Sequence, residues 1–156
     1  MDFYISDLHR VIKEANDKGI ILVSAAGNNL NSNSDFYISD LHRVIKEAND
    51  KGIILVSAAG NNLNSNSDFP ARFKEVYSIA AIDKDKQNFL YSPNKNVDFR
   101  TPGADVYTLN GEDKIVKDSG SSFSAAYFTS YLIANTDSAK NFIDIIKKYP
   151  LKYKEN

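Results

Sequence analysis

The chain has 156 residues, 42% of them hydrophobic and 25% charged, and it contains no cysteine. That is enough chain for one domain with a real core, and it excludes disulfides and thiolate metal sites. A formal net charge of −1 gives no global pull toward nucleic acid or anionic lipid, and no apolar run approaches the roughly 20 residues of a membrane span.

Met1-Asp2-Phe3-Tyr4 has no basic stretch leading into an apolar one, so no signal peptide is expected here. Asp2 to Ser34 recurs letter for letter as Asp35 to Ser67, and Asp68-Phe69 starts the phrase again before Pro70 ends it. The unit is 33 residues long, the period of an ankyrin solenoid. Two copies are too few for a solenoid. The unit also reads as one helix and one strand rather than two helices. The domain plan is therefore a duplicated helix–strand segment over residues 1–34, a main body over 35–149 and a polar tail over 150–156.

In the second copy, Ser39-Asp40 can cap a helix whose apolar face is Leu41, Val44, Ile45 and Ala48. His42 falls on its polar side, beside Arg43. Gly52 stands where a helix-stopping glycine belongs. Ile53-Ile54-Leu55-Val56 is a short β-branched run suited to a strand buried on both faces of a parallel sheet. A polar loop, Asn61 to Ser67, follows at the strand's C-terminal end, the edge where open α/β sheets bind ligands.

Val76 to Ile82 predicts a second buried strand, and Val97-Asp98-Phe99 a short third one ended by Thr101-Pro102-Gly103. Val106–Leu109 and Ile115–Lys117 flank Asn110-Gly111, a hairpin signal. Gly120-Ser121-Ser122 opens a helix of small residues running to about Ala134. Ser138 can cap a last amphipathic helix carrying Phe142, Ile143, Ile145 and Ile146, which stops before Pro150. The expected class is α/β, with a partial parallel sheet flanked by helices. The upstream copy is expected to lay Ile20–Ala25 beside Ile53–Ala58 and extend the sheet, or to compete for the same slot.

Two phrases carry chemistry: Ala58-Ala59-Gly60-Asn61 at a strand end, and Gly120-Ser121-Ser122-Phe123-Ser124-Ala125-Ala126 at a helix start. Together with Phe69-Pro70-Ala71 and Thr101-Pro102-Gly103 between them, they resemble the subtilisin-like serine proteases (subtilases, peptidase family S8). The order and spacing match the C-terminal half of that catalytic domain. The resemblance implies a subtilisin-like three-layer fold and a serine-type endopeptidase acting on polypeptide substrates without a metal or organic cofactor. It implies Ser122 as nucleophile, Asn61 as the oxyanion-hole donor with Asn28 as its duplicate, and Ala58, Ala59 and Gly60 as the wall of the substrate pocket.

The pattern departs from the family in three respects. Ser121 replaces a threonine and Ala126 a proline. The family's D-[ST]-G and H-G-T phrases, which hold the other two triad members, do not occur. The only histidines are His9 and His42, one residue in two copies. A serine without a base attacks poorly, so the isolated chain is expected to be inactive. Two readings follow. In one, the chain is a serine endopeptidase domain truncated upstream or the second part of a split gene, with a separate chain supplying the Asp/His half; in the other, the protein is a non-catalytic remnant or peptide-binding module. Members of the family are often secreted or held at the cell envelope, and nothing in this sequence fixes the compartment.

Overall fold

The computed structural model describes residues 10–11, 14, 21–24, 35–63, 66–135 and 142–148. Four strands form a parallel sheet in the order β1 (Leu22–Ser24), β2 (Leu55–Ala58), β3 (Tyr77–Ile82) and β4 (Phe99–Pro102). A separate antiparallel hairpin is made by β5 (Val106–Leu109) and β6 (Ile115–Asp118). The helices are α1 (Asp35–Asp50), α2 (Ser121–Ala134) and α3 (Phe142–Lys148). None is long and apolar enough to cross a membrane among the described residues.

Alternation along β2 builds the three layers, because successive strand residues point to opposite faces. Val56 and Ala58 face one way, into a cluster with Ile79, Phe99, Phe128, Leu132 and Ile146 beneath α2 and α3. Leu55 faces the other way, into a cluster with Val44, Ile45, Ala48, Phe73 and Val76 beneath α1. Every residue of β2 is buried, as a strand covered on both faces must be.

The first copy joins this sheet as expected. Leu22, Val23 and Ser24 pair in parallel with Leu55, Val56 and Ser57, so each residue lies beside its own duplicate. The flanking residues of Ile20–Ala25, and most of segment 1–34, lie outside the described residues. So do Ser138 and the tail 150–156.

Element boundaries differ from the sequence expectation at three places. α1 begins at Asp35, a turn before the Ser39-Asp40 cap signal, because Ile38 adds a further apolar position that packs on the cluster beneath the helix. β2 starts at Leu55 rather than Ile53, because Ile53 is spent on ending α1. Its N–H bonds to Ala48 O (3.1 Å) and the Gly52 N–H to Asn49 O (2.8 Å), with Gly52 at φ +78. This is the paired closure of a Schellman cap. β4 begins at Phe99 rather than Val97, the Asp98 carboxylate being taken up by the Ser78 N–H, and runs on through Thr101 and Pro102, which a sheet edge tolerates.

Candidate active site at the C-terminal edge of the sheet

Three chain segments meet where β2 and β4 end. Gly60 and Asn61 follow β2, Gly103 follows β4, and Gly120 to Ser122 open α2. The Gly120 N–H donates to Gly103 O (2.8 Å) and the Gly103 N–H to Ile82 O (3.1 Å), tying the start of α2 to the strand ends. Thr101 Oγ1 donates to Ser124 O (2.8 Å) and Ser124 Oγ to Thr101 O (3.0 Å), a reciprocal buried pair that fixes the first turn of the helix. Gly103 makes this approach possible: a Cβ there would stand 2.0 Å from Ser124 Oγ and 2.8 Å from Gly120 O.

The two chemical phrases touch through Ser121. The Ser121 N–H donates to Asn61 Oδ1 (3.0 Å), and the Gly60 N–H donates to the buried Ser121 Oγ (3.0 Å). α2 has no side-chain cap of its own at Gly120. One of its unsatisfied first-turn donors is therefore met by an asparagine 60 residues away. This bond decides the rotation of the Asn61 amide. With Oδ1 on Ser121, the Nδ2 donors are left over, and among the described residues nothing accepts from them. A Cβ at position 120 would lie 3.4 Å from Nδ2, so glycine leaves that side open.

Ser122 is the second residue of α2 and is exposed, with no hydrogen-bond partner for its hydroxyl among the described residues. It stands at the positive dipole end of a 14-residue helix. With an exposed hydroxyl to attack, an amide donor and a helix N-terminus at the same edge can stabilise an anion developing on the attacked carbonyl oxygen. Ala58, Ala59 and Gly60 lie directly behind Asn61 and are buried. Ala58 is in the cluster under α2, and Ala59 packs with Ala80 and Val97 on the opposite face. Gly60 has φ +101, a value that suits glycine. Asn28 lies outside the described residues.

His42 is not the solvated surface residue that its place on the helix predicts. Its ring stacks on Phe73 at 4.2 Å between centroids, and Nε2 lies 3.0 Å from Glu75 Oε2. The stack and the pair hold it within the α1 layer, across the sheet from α2, so it does not serve Ser122. Burial acts to raise the Glu75 carboxyl, but the hydrogen bond and charge of His42 outweigh it, and the pKa lies below its ordinary value. Ser121, Thr101, Ser124 and Gly103 were not singled out individually by the sequence, although each lies in or beside a quoted motif.

A cleft of about 510 Å³ lined by Ile53, Ile54, Tyr77, Asp98 and Ile143 opens at the N-terminal ends of β2 and β3, the far edge of the sheet from Asn61. Burial, helped by the Asp98 carboxylate, raises the Tyr77 hydroxyl pKa there. Among the described residues, no group of three acidic, histidine or cysteine side chains could hold a metal ion.

The sequence profile of the subtilase family matches residues 4–141. The fold resembles solved structures at low identity. The prenylagaramide maturation protease PagA aligns with a TM-score of 0.65 and 18% identity, over 92% of this chain and 66% of that one. Sphericase aligns with a TM-score of 0.68 and 16% identity, over 90% and 52%. The PatG macrocyclase in complex with peptide aligns with a TM-score of 0.66 and 20% identity, over 95% and 44%. The chain thus spans between 44% and 66% of the length of these structures. Comparison with curated protein sequences gives no match.

Proposed function

Because the chain belongs to the subtilase family, we propose that residues 35–149 are the C-terminal part of a serine endopeptidase domain, with Ser122 as nucleophile and Asn61 as oxyanion donor. The observation that supports this reading is the Asn61 Oδ1 bond to the N–H of Ser121, the neighbour of Ser122, which leaves the Asn61 Nδ2 donors without an acceptor among the described residues. In the reaction, Ser122 Oγ attacks the substrate carbonyl carbon and its proton passes to a base. The carbonyl oxygen takes up the electron pair and is held by Asn61 Nδ2 and the helix N-terminus. Collapse expels the amine, which takes the proton, and leaves an ester on Ser122 for water to cleave. Ala58-Ala59-Gly60 would supply backbone to the substrate side chain before the scissile bond.

The base comes from elsewhere. His42 is engaged by Glu75 and Phe73, and the family's Asp and His phrases are absent from the sequence. A separate chain bearing those two residues would complete the site, and the chain alone would not turn over. The second reading, a non-catalytic remnant, draws on the unpartnered Ser122 hydroxyl.

Labelling with a fluorophosphonate, read by intact mass, separates the two. The chain alone should take up no adduct. The chain fused to the part of sphericase that has no counterpart here should be labelled at Ser122. Ser122→Ala should abolish that adduct. Asn61→Ala should slow it by about 10²–10³, the effect of removing one oxyanion donor in a subtilisin of this same family. A fusion that folds and never labels at Ser122 supports the remnant.

A further inference from the structure

Asp68 is the first residue after the polar loop and has no part in either chemical phrase. Its carboxylate faces the turn that carries Asn61. Asn62 Nδ2 donates to both of its oxygens, at 3.0 Å to Oδ1 and 2.8 Å to Oδ2. The Asp68 N–H donates to Ala59 O (2.8 Å), closing the loop across its base. The carboxylate also lies against the Cα of Gly60: a Cβ there would fall 2.3 Å from Oδ2. Residues 59 and 62 are thus each bonded to Asp68, whose carboxylate also lies against Gly60, and Asn61 is the residue they flank.

Asp68 is itself well anchored. Ser67 is fully buried, and its hydroxyl bonds to Ser78 Oγ (2.9 Å) and Lys95 O (3.1 Å). Its N–H bonds to Lys95 O (3.1 Å), and Arg72 Nε donates to Ser67 O (2.8 Å). The carboxylate therefore projects from a fixed point on the body of the domain toward an exposed turn.

We propose that Asp68 is a positioning residue. Through its bonds to Asn62 and Ala59 it holds the turn so that Asn61 Oδ1 stays on the Ser121 N–H and the Nδ2 donors stay available. The inference rests on the reading of Asn61 as a donor and adds what sets its orientation. It also separates the two copies of the repeat. The counterparts of Asn61 and Asp68 in the first copy are Asn28 and Asp35, and Asp35 is the first residue of α1. Asp68, by contrast, lies in a loop.

The test is amide exchange and side-chain NMR on the full chain, comparing wild type with Asp68→Ala, Asp68→Asn and Asn62→Ala. Asp68→Ala and Asn62→Ala should speed exchange of the Ser121 and Gly60 N–H groups by at least about tenfold while leaving Ile79 and Ala80 in β3 unchanged. The Ser121 amide proton signal should move toward the position of an N–H with no protein acceptor. Asp68→Asn keeps one carbonyl acceptor for Asn62 and should restore much of the wild-type behaviour. If Asp68→Ala does not fold, Asn62→Ala carries the same expectation from an exposed position.

Unchanged Ser121 and Gly60 exchange in Asn62→Ala overturns the proposal. So does a uniform rise across β3, which would make Asp68 a general stabiliser. The readout does not depend on Ser122 reacting. A failed labelling experiment with positive exchange results rejects the protease reading alone, and the converse rejects the positioning role alone.

Discussion

Two regions of this protein have the same sequence and different fates. Val11 and Val23 in the first copy are 40% and 47% exposed. Their duplicates Val44 and Val56 are 0% and 1% exposed. β1 and β2 have the same letters, yet β1 forms one edge of the sheet and β2 sits inside it between β1 and β3. Local propensity cannot account for the difference, since it is identical by construction. What differs is what lies alongside: β3, Phe73 and Glu75 meet the second copy, and the second copy's Gly60 and Asn61 bond to the start of α2. Burial belongs here to position in the chain.

The largest effect that can break this comparison is a buried charge. Val56→Asp should cost more than about 4 kcal/mol and prevent folding, whereas Val23→Asp should stay within about 0.5 kcal/mol. Chemical denaturation of the two variants measures the difference directly, and equal losses would mean that both copies are interior. Gly60→Ala comes next. Its positive φ and the clash with Asp68 together should cost about 3 kcal/mol, read in the same experiment. Val44→Ala should then cost about 2 kcal/mol through the lost methyl groups and the cavity, against less than about 0.5 kcal/mol for Val11→Ala.

The smallest effect concerns the pair that only the second copy can make. Glu75 has a folded pKa below its ordinary value of 4.5. Its pairing with His42 therefore adds stability that is present above that value and is lost as pH falls through the folded pKa. Glu75→Gln should flatten the acid limb of the stability profile below about pH 5. A variant with an unchanged acid limb would show that the pair does not hold α1 preferentially at neutral pH.

Much of the fold was legible because the apolar patterns are local. The strand at 76–82, the hairpin across Asn110-Gly111 and the helix from Ser121 to about Ala134 all stand close to their expected places. The two phrases that carry the resemblance meet at one sheet edge, where Gly60 and Asn61 bond to Ser121. Features set by contacts between distant residues were hidden. The start of α1 is decided by Ile38 packing on the core, which outweighs a cap signal at Ser39-Asp40. The role of His42 is decided by Glu75, 33 residues on. The grip of Asp68 on Asn62 needs the loop to fold back on itself, and no spacing rule foretells it.

The account stands on the second copy's asparagine, and not the first's, lying against the opening turn of α2. Nuclear Overhauser contacts from the side-chain amide protons of each asparagine, assigned in the full chain, test this directly. Asn61 should show contacts to the Ser121 and Ser122 amide protons, and Asn28 should show none. Contacts from Asn28 in place of Asn61, or from neither residue, would contradict it.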